Sequence, residues 1–224
     1  MNRAVYYEEM KRLAHELRER YGMATGDVSL SRVRAIYKAE GIRIDYWRHK
    51  LRKVRAAYFL VDEEPHVLLN AGIKPKEPRI FALCHELKHH LLDREVARGG
   101  GLGCREDVSW QNGSPVEIGA EIFAAEFIFP ESEFLTLVRE VGVEGKRQAE
   151  EVVKLRRASP APISYTFLLK RLRWFRIIGR DEYRGVQFQK LEAKLYGGPF
   201  YRRRPSRDFA AQGTPSHAPD GKDR

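Results

Sequence analysis

The chain has 224 residues, of which 42% are hydrophobic and 32% are charged, and its formal net charge at pH 7 is +10. No apolar run approaches the roughly 18 residues that a membrane-spanning helix requires, and the charged N-terminal segment lacks the apolar centre of a signal peptide. Two cysteines, Cys84 and Cys104, make no disulfide framework and no CxxC pair. We therefore expect a soluble protein of the reducing cytoplasm that contacts no membrane.

The first half of the chain is predicted to combine helices with a few short strands. Hydrophobic periodicity and capping residues, with Ser29 or Ser31 before the second helix and Gly41 after it, give the boundaries. The predicted elements are helices over 5–20, 31–40 and 78–93 and strands over 42–47, 54–61 and 66–72. The turn at 62–65 predicts that the last two strands form a hairpin. The Gly-rich stretch 97–104 is expected to be irregular, because regular structure restricts glycine at the highest entropic cost.

The second half is predicted to be helical and then to lose regular structure. One helix begins at Ser114-Pro115 and ends before Pro130, and three further helical runs cover 131–142, 144–159 and 164–179. The polar, Gly- and Pro-rich end of the chain is expected to be largely disordered. The predicted domains are therefore 1–130, a helical region over 131–180, and a basic tail over 181–224.

Residues 85–89 read His-Glu-Leu-Lys-His, an HExxH motif in the middle of the helix predicted over 78–93. Residues four apart on a helix share a face, so the imidazoles of His85 and His89 can both reach one zinc ion. Glu86 lies about 100° round the helix and can act on a water as a base without occupying a ligand position. A pair of ordinary core or surface histidines is the alternative interpretation. The position of the motif, after a hairpin and on an otherwise apolar segment, favours the metal site.

A catalytic zinc site usually has three protein ligands, and the helix after Ser114 supplies the candidates for the third. Glu117 and Glu121 are four residues apart and share one face of that helix. Glu117 can be the ligand, or it can complete a capping box with Ser114 that needs no metal. Glu121 suits the acceptor for the free N–H of a ligand histidine. The reverse assignment, with Glu121 as the ligand, stays open.

Two segments, NAGIKPKEPRIFALCHELKHHLLD at 70–93 and EIGAEIFAAEFIFPE at 117–131, resemble the ImmA/IrrE family of zinc metallopeptidases. The resemblance covers about residues 10–130 and, more weakly, 160–180. It implies an α+β fold, with a zincin-like core of a small β-sheet, the HExxH helix and flanking helices, followed by the helical region. It also assigns roles to four residues: zinc ligands His85, His89 and Glu117, and the base Glu86.

Two positions depart from the family pattern, and two supporting features are predicted beside the motif. Lys88 stands where the family often has Gly, and we expect it to point to solvent; Glu121 stands where Asn or Asp is common.

His90 and Tyr165 are candidate donors to a developing oxyanion, although a surface histidine and a packing tyrosine are the simpler interpretations. The strand near 67–70 is expected to offer an edge on which substrate backbone docks.

The C-terminal third is strongly basic. Residues 168–208 hold twelve Lys or Arg against four Asp or Glu, which favours anionic partners or is simply a solvated surface. The helix that begins at Ser164 carries a basic face, predicted to contact nucleic acid through Lys170, Arg171, Arg173 and Arg176. With the helix before it, this segment is predicted to be helix-turn-helix-like. A small helical bundle that supports the peptidase core is the alternative.

The sequence therefore predicts a cytoplasmic zinc endopeptidase that hydrolyses a peptide bond in a protein substrate. Similar ligands also accept Mn²⁺, Fe²⁺ or Co²⁺. The resemblance implies that the substrate is a DNA-binding transcriptional repressor, cleaved in stress response or in the regulation of a mobile element. The competing hypothesis is a DNA-binding regulatory protein that uses a metallopeptidase-like fold without proteolysis.

Overall fold

The computed structural model describes residues 2–48, 54–98, 102–105, 114–143 and 148–197. Within these residues the helices are α1 (Arg3–Arg20), α2 (Leu30–Ala39), α3 (Lys76–Leu92), α4 (Arg94–Arg98), α5 (Pro115–Ile128), α6 (Glu131–Val141), α7 (Ala149–Ala158), α8 (Tyr165–Trp174) and α9 (Phe188–Tyr196). A 3₁₀ turn at Thr25–Asp27 separates α1 from α2. The strands are β1 (Arg43–Trp47), β2 (Val54–Val61), β3 (Glu64–Asn70) and β4 (Leu102–Arg105). The predicted α+β architecture is confirmed.

The strands of the described residues form one sheet in the order β1-β3-β2-β4. β2 and β3 make the predicted antiparallel hairpin, and Asp62 and Glu63 in its turn have φ of 50° and 67°. Positive φ at both central residues is what a type I′ turn requires, and its twist matches that of the strands. β1 runs parallel to β3 and pairs with the edge of β3 that lies opposite β2. The expectation of a free edge near 67–70 is therefore wrong, because β3 is paired along both edges.

β4 forms inside the Gly-rich stretch that was expected to be irregular. It pairs antiparallel with β2, with Gly103 opposite Ala57 and Cys104 opposite Ala56. This pairing satisfies backbone N–H and C=O groups, and that gain offsets the entropy that glycine loses in a strand. The irregular prediction is wrong for these residues and for Ala97 and Arg98, which belong to α4, while 99–101 lie outside the described part of the chain.

α3 and α5 pack against each other, and this contact positions the site. α3 also packs on β2 and β3, and α1 covers α5 from another side. Because it is enclosed in this way, α5 is buried continuously from Ile118 to Ile128, as expected of a helix that is apolar nearly all round. Ser114 caps α5 by accepting a hydrogen bond from the backbone N–H of Glu117 at 3.3 Å. The motif helix and the helix that carries the candidate glutamates therefore lie side by side.

The helices beyond Pro130 were also expected, with one difference at the end of the chain. α6, α7 and α8 fall within the predicted runs, and Ser164 caps α8 by accepting from Phe167 N at 3.2 Å. Residues 144–147, predicted as the start of α7, lie outside the described part of the chain. The division into domains at 130 and 180 stays a prediction.

The chain divides into two compact units, 1–186 and 187–224. In the second unit, Phe188–Tyr196 forms α9, so the expected lack of regular structure over 181–224 is wrong for these residues. Apolar side chains recur there at helical spacing, and Gly197 ends the helix with a φ of 72°. Residues 198–224 lie outside the described part. Among the described helices, none is both long and apolar enough to cross a membrane.

Candidate metal centre

α3 presents His85 and His89 on the face that meets α5. The two imidazole rings lie one turn apart, with centroids 5.0 Å from each other, and both residues are at most 1% exposed. The opposite side of the helix carries Ile80, Cys84 and Leu87, which are buried. The helical spacing therefore places both histidine side chains at one buried point, as expected from the motif.

Glu117 reaches this point from the first turn of α5. Its Oε2 lies 3.1 Å from His85 Nε2, and its Oε1 lies 3.5 Å from His89 Nε2. Ligand atoms of the three residues all lie within 4.8 Å of one another, and no other group of this kind occurs among the described residues. Ser114 supplies the cap through its own side chain, so capping of the helix leaves the Glu117 carboxylate directed at the histidines.

The donor set fits a divalent cation. His89 Nε2 is buried and makes no hydrogen bond, and a buried polar atom without a partner costs about 1–3 kcal/mol. A cation held between His85, His89 and Glu117 would remove that cost. Two imidazole nitrogens and one carboxylate oxygen form a ligand set typical of catalytic zinc sites, which keep a further position open. The three residues are thus positioned for metal binding.

The protonation states of the three residues are coupled. Burial lowers the pKa of His85, but the hydrogen bond with Glu117 and the charges of Glu86 and Glu121 outweigh burial and leave the pKa above its ordinary 6.5. Burial lowers the pKa of His89 below 6.5. Burial raises the pKa of Glu117, but the contacts with His85 and His89 outweigh it and bring the pKa below 4.5. The surroundings therefore favour the protonated form of His85 and the ionised form of Glu117.

Asp93, at the end of α3, was not singled out by the sequence analysis. Its Oδ2 lies 2.6 Å from His89 Nδ1, so its carboxylate can accept the N–H of that ring and leave Nε2 as the free lone pair. Burial raises the pKa of Asp93, but its bonds to His89 and Lys88 outweigh burial and hold the pKa below 3.8. The spacing of four residues from His89 was the available signal.

Lys88 also lies against Asp93, which corrects a prediction. It was expected to point to solvent, but its side chain is 0% exposed and its Nζ donates to Asp93 Oδ2 at 2.6 Å. The reason is tertiary, since Tyr6 on α1 and the Val116 carbonyl on α5 lie against the ammonium, which also finds a carboxylate there. Burying a charge in this way is tolerated only when it is paired.

Glu121 sits next to the group of three ligand candidates. Its Oε1 lies 3.9 Å from His85 Nδ1, which is longer than a hydrogen bond, and its Oε2 accepts from Lys170 Nζ at 2.8 Å. Among the described residues, the cluster of mutually close ligand atoms contains Glu117 and leaves out Glu121. The geometry thus favours Glu117 as the third ligand candidate.

The remaining residues predicted around the motif occupy different surroundings. Glu86 is 0% exposed beside His85, and its charge contributes to the raised pKa of that histidine. His90 is only 7% exposed and lies against Tyr58, with Nδ1 3.4 Å from the tyrosine hydroxyl. The interpretation of His90 as a surface histidine is therefore wrong. Tyr165 is half-buried, with the Arg156 guanidinium 4.8 Å from its ring centroid.

The basic face predicted for α8 does not form as one solvent-facing surface. Arg171 is 3% exposed, and its guanidinium contacts Glu126 and the ring of Phe134. Lys170 bonds to Glu121, as described above, and Arg173 donates to a backbone carbonyl at 3.1 Å, while Arg176 is exposed. The expectation of an exposed basic face is wrong for Arg171, because the aromatic side chains around it enclose its charge. Nucleic-acid binding by this region stays a prediction.

Comparison with known proteins agrees with the geometry. The family model of the IrrE N-terminal-like domain, a peptidase family designated M78, matches residues 38–153. The matched segment includes the HExxH motif, Glu117 and Glu121, and it ends before α8. A comparison with curated proteins found no match.

Proposed function

Because the chain belongs to the IrrE N-terminal-like peptidase family, we propose that it is a zinc-dependent endopeptidase that hydrolyses a peptide bond in a protein substrate. The observation that carries the proposal is that ligand atoms of His85 and His89, on the helix with the HExxH motif, and of Glu117, on α5, lie within 4.8 Å of one another. A zinc ion at this point would be held by two neutral imidazoles and one carboxylate.

The protein's own residues supply the other requirements of hydrolysis. When bound, zinc lowers the pKa of a coordinated water and polarises the substrate carbonyl. Glu86 is the base that accepts the proton of the attacking water and passes it to the leaving amine. Asp93 keeps the Nδ1 proton of His89 in place, so that Nε2 of this ring faces the ligand position. Burial of the histidines excludes competing water from their ring nitrogens.

The substrate that we propose is a DNA-binding transcriptional repressor, and the setting is stress response or mobile-element regulation in the cytoplasm. This part of the proposal rests on the resemblance of the two motif segments to the ImmA/IrrE family.

The experiment compares the wild type with Glu86→Gln, and Glu140→Gln, at an exposed position of α6, is the matched control. Each protein is analysed for bound zinc and is incubated with a cell extract, in which new N-termini are identified by mass spectrometry. We expect all three to hold about one zinc, and we expect Glu86→Gln to cleave about 10²–10⁴-fold more slowly. The proposal fails if the wild type holds no stoichiometric zinc or if Glu86→Gln cleaves as fast as the control. New N-termini confined to proteins that do not bind DNA would remove the repressor assignment alone.

A further inference from the structure

Lys88 is buried beside the metal centre, where its charge has a cost that its surroundings must offset. The side chain is 0% exposed, and an ammonium taken out of water without a partner is strongly unfavourable. It lies inside the HExxH motif, between the two histidines. A buried lysine at this position therefore suggests that its charge has a specific structural role.

The ammonium of Lys88 bridges both helices that carry the ligand candidates. Nζ donates to Asp93 Oδ2 at 2.6 Å and to the backbone carbonyl of Val116 at 3.2 Å. It also lies 5.7 Å from the centroid of the Tyr6 ring on α1, within the range of a cation–π contact. These contacts surround the charge on three sides with groups that favour it.

Each of the two hydrogen bonds goes to a group that contacts a ligand candidate or directly precedes one in the chain. Asp93 Oδ2, which accepts from Lys88, is the same atom that lies 2.6 Å from His89 Nδ1. Val116 immediately precedes Glu117 in the first turn of α5. The Lys88 ammonium therefore holds the carboxylate that orients His89 and, at the same time, the backbone that carries Glu117.

We propose that Lys88 is a positioning residue of the metal centre, which fixes His89 through Asp93 and Glu117 through the Val116 carbonyl. This inference rests on the proposed function, because it assumes that the site binds zinc. Lys88 is not one of the three ligand candidates, so its effect is expected first in the affinity for the metal. Partners that orient metal ligands typically contribute about 10- to 100-fold in metal affinity.

The test measures zinc affinity of the full chain by competition with a chelator. Lys88→Met keeps the length and apolar stem of the side chain but removes both hydrogen bonds, and Lys76→Met, on the exposed first residue of the same helix, is the control. We expect the Kd for zinc to rise about 10- to 100-fold in Lys88→Met and to stay unchanged in Lys76→Met. The visible absorption of Co²⁺ bound at the site should change in the first variant only.

A double-mutant cycle with Asp93→Asn tests whether Lys88 acts through Asp93. We expect the double variant to lose less affinity than the product of the two single losses, since both changes release the same histidine. The inference is overturned if Lys88→Met binds zinc within twofold of the wild type, or if the two losses simply multiply. A wild type that binds no zinc would overturn the proposed function as well, which separates the two failures.

Folding of the variants is checked by a cooperative thermal transition without metal. If Lys88→Met lacks this transition, Lys88→Gln replaces it, because the amide keeps a neutral donor for Asp93 or Val116. Lys88→Gln is expected to bind zinc more weakly than the wild type while folded. If neither variant folds, Lys88 serves the fold itself and the assignment to the metal centre is wrong.

Discussion

Zinc binding should release one proton from His85 just above pH 6.5. The pKa of His85 is raised above 6.5, whereas that of His89 is lowered below 6.5 and that of Glu117 is lowered below 4.5. Above pH 6.5, His89 is therefore mostly neutral and Glu117 is ionised, and His85 is the ligand candidate that still carries a displaceable proton. Only the neutral imidazole binds a metal, so the zinc ion and the proton compete for His85.

The magnitude follows from proton linkage. With one proton displaced, the logarithm of the apparent zinc affinity should fall by about one for each pH unit below the pKa of His85, which is about 1.4 kcal/mol per unit. Only below the lowered pKa of His89 does the protonation of this second imidazole contribute, and there the slope should approach about two. Above the raised pKa of His85 the slope should vanish.

The slope is measured by chelator competition between pH 5.5 and 8, and the proton count by calorimetry in buffers of different ionisation enthalpy. Glu117→Gln is the informative variant, because it removes the hydrogen bond that raises the pKa of His85. Its affinity should be lower throughout, and it should release less than one proton near pH 7. A slope near two already above pH 6.5, or the same proton release in Glu117→Gln as in the wild type, would refute the reasoning.

Two further expectations concern the packing around the site. Arg171→Met should lower the free energy of unfolding by about 1–3 kcal/mol, because the buried Glu126 carboxylate on α5 loses its guanidinium partner while it keeps His15 and the backbone N–H of Glu131. The control Arg176→Met, at an exposed position, should change it by less than about 0.5 kcal/mol, and equal effects in urea denaturation would contradict the burial argument. Gly119→Ala should cost about 1–3 kcal/mol, since its Cβ would lie 2.8 Å from two ring carbons of Tyr6 on α1. At Gly26 a Cβ meets nothing within 4 Å, so Gly26→Ala should show no such loss in the same assay.

Much of the local structure could be predicted from short stretches of sequence. The hairpin turn, the Ser164 cap and the start of α5 at Ser114 depend on a few neighbouring residues, whose backbone preferences act over one or two turns. β4 is the counterexample, because its glycine-rich sequence has little strand preference of its own. It forms because β2 supplies the partner groups, and that information lies elsewhere in the chain.

In the candidate site, too, some features follow from local sequence and others depend on tertiary packing. The separation of four residues between His85 and His89 already determines that their side chains share a face, whatever the helix packs against. The choice between Glu117 and Glu121 depends on how α3 and α5 meet. The same contact, covered by α1, turns Lys88 inward from its expected exposed position. Sequence periodicity records which residues lie together on one element, whereas burial and pairing between elements are decided only when the elements pack.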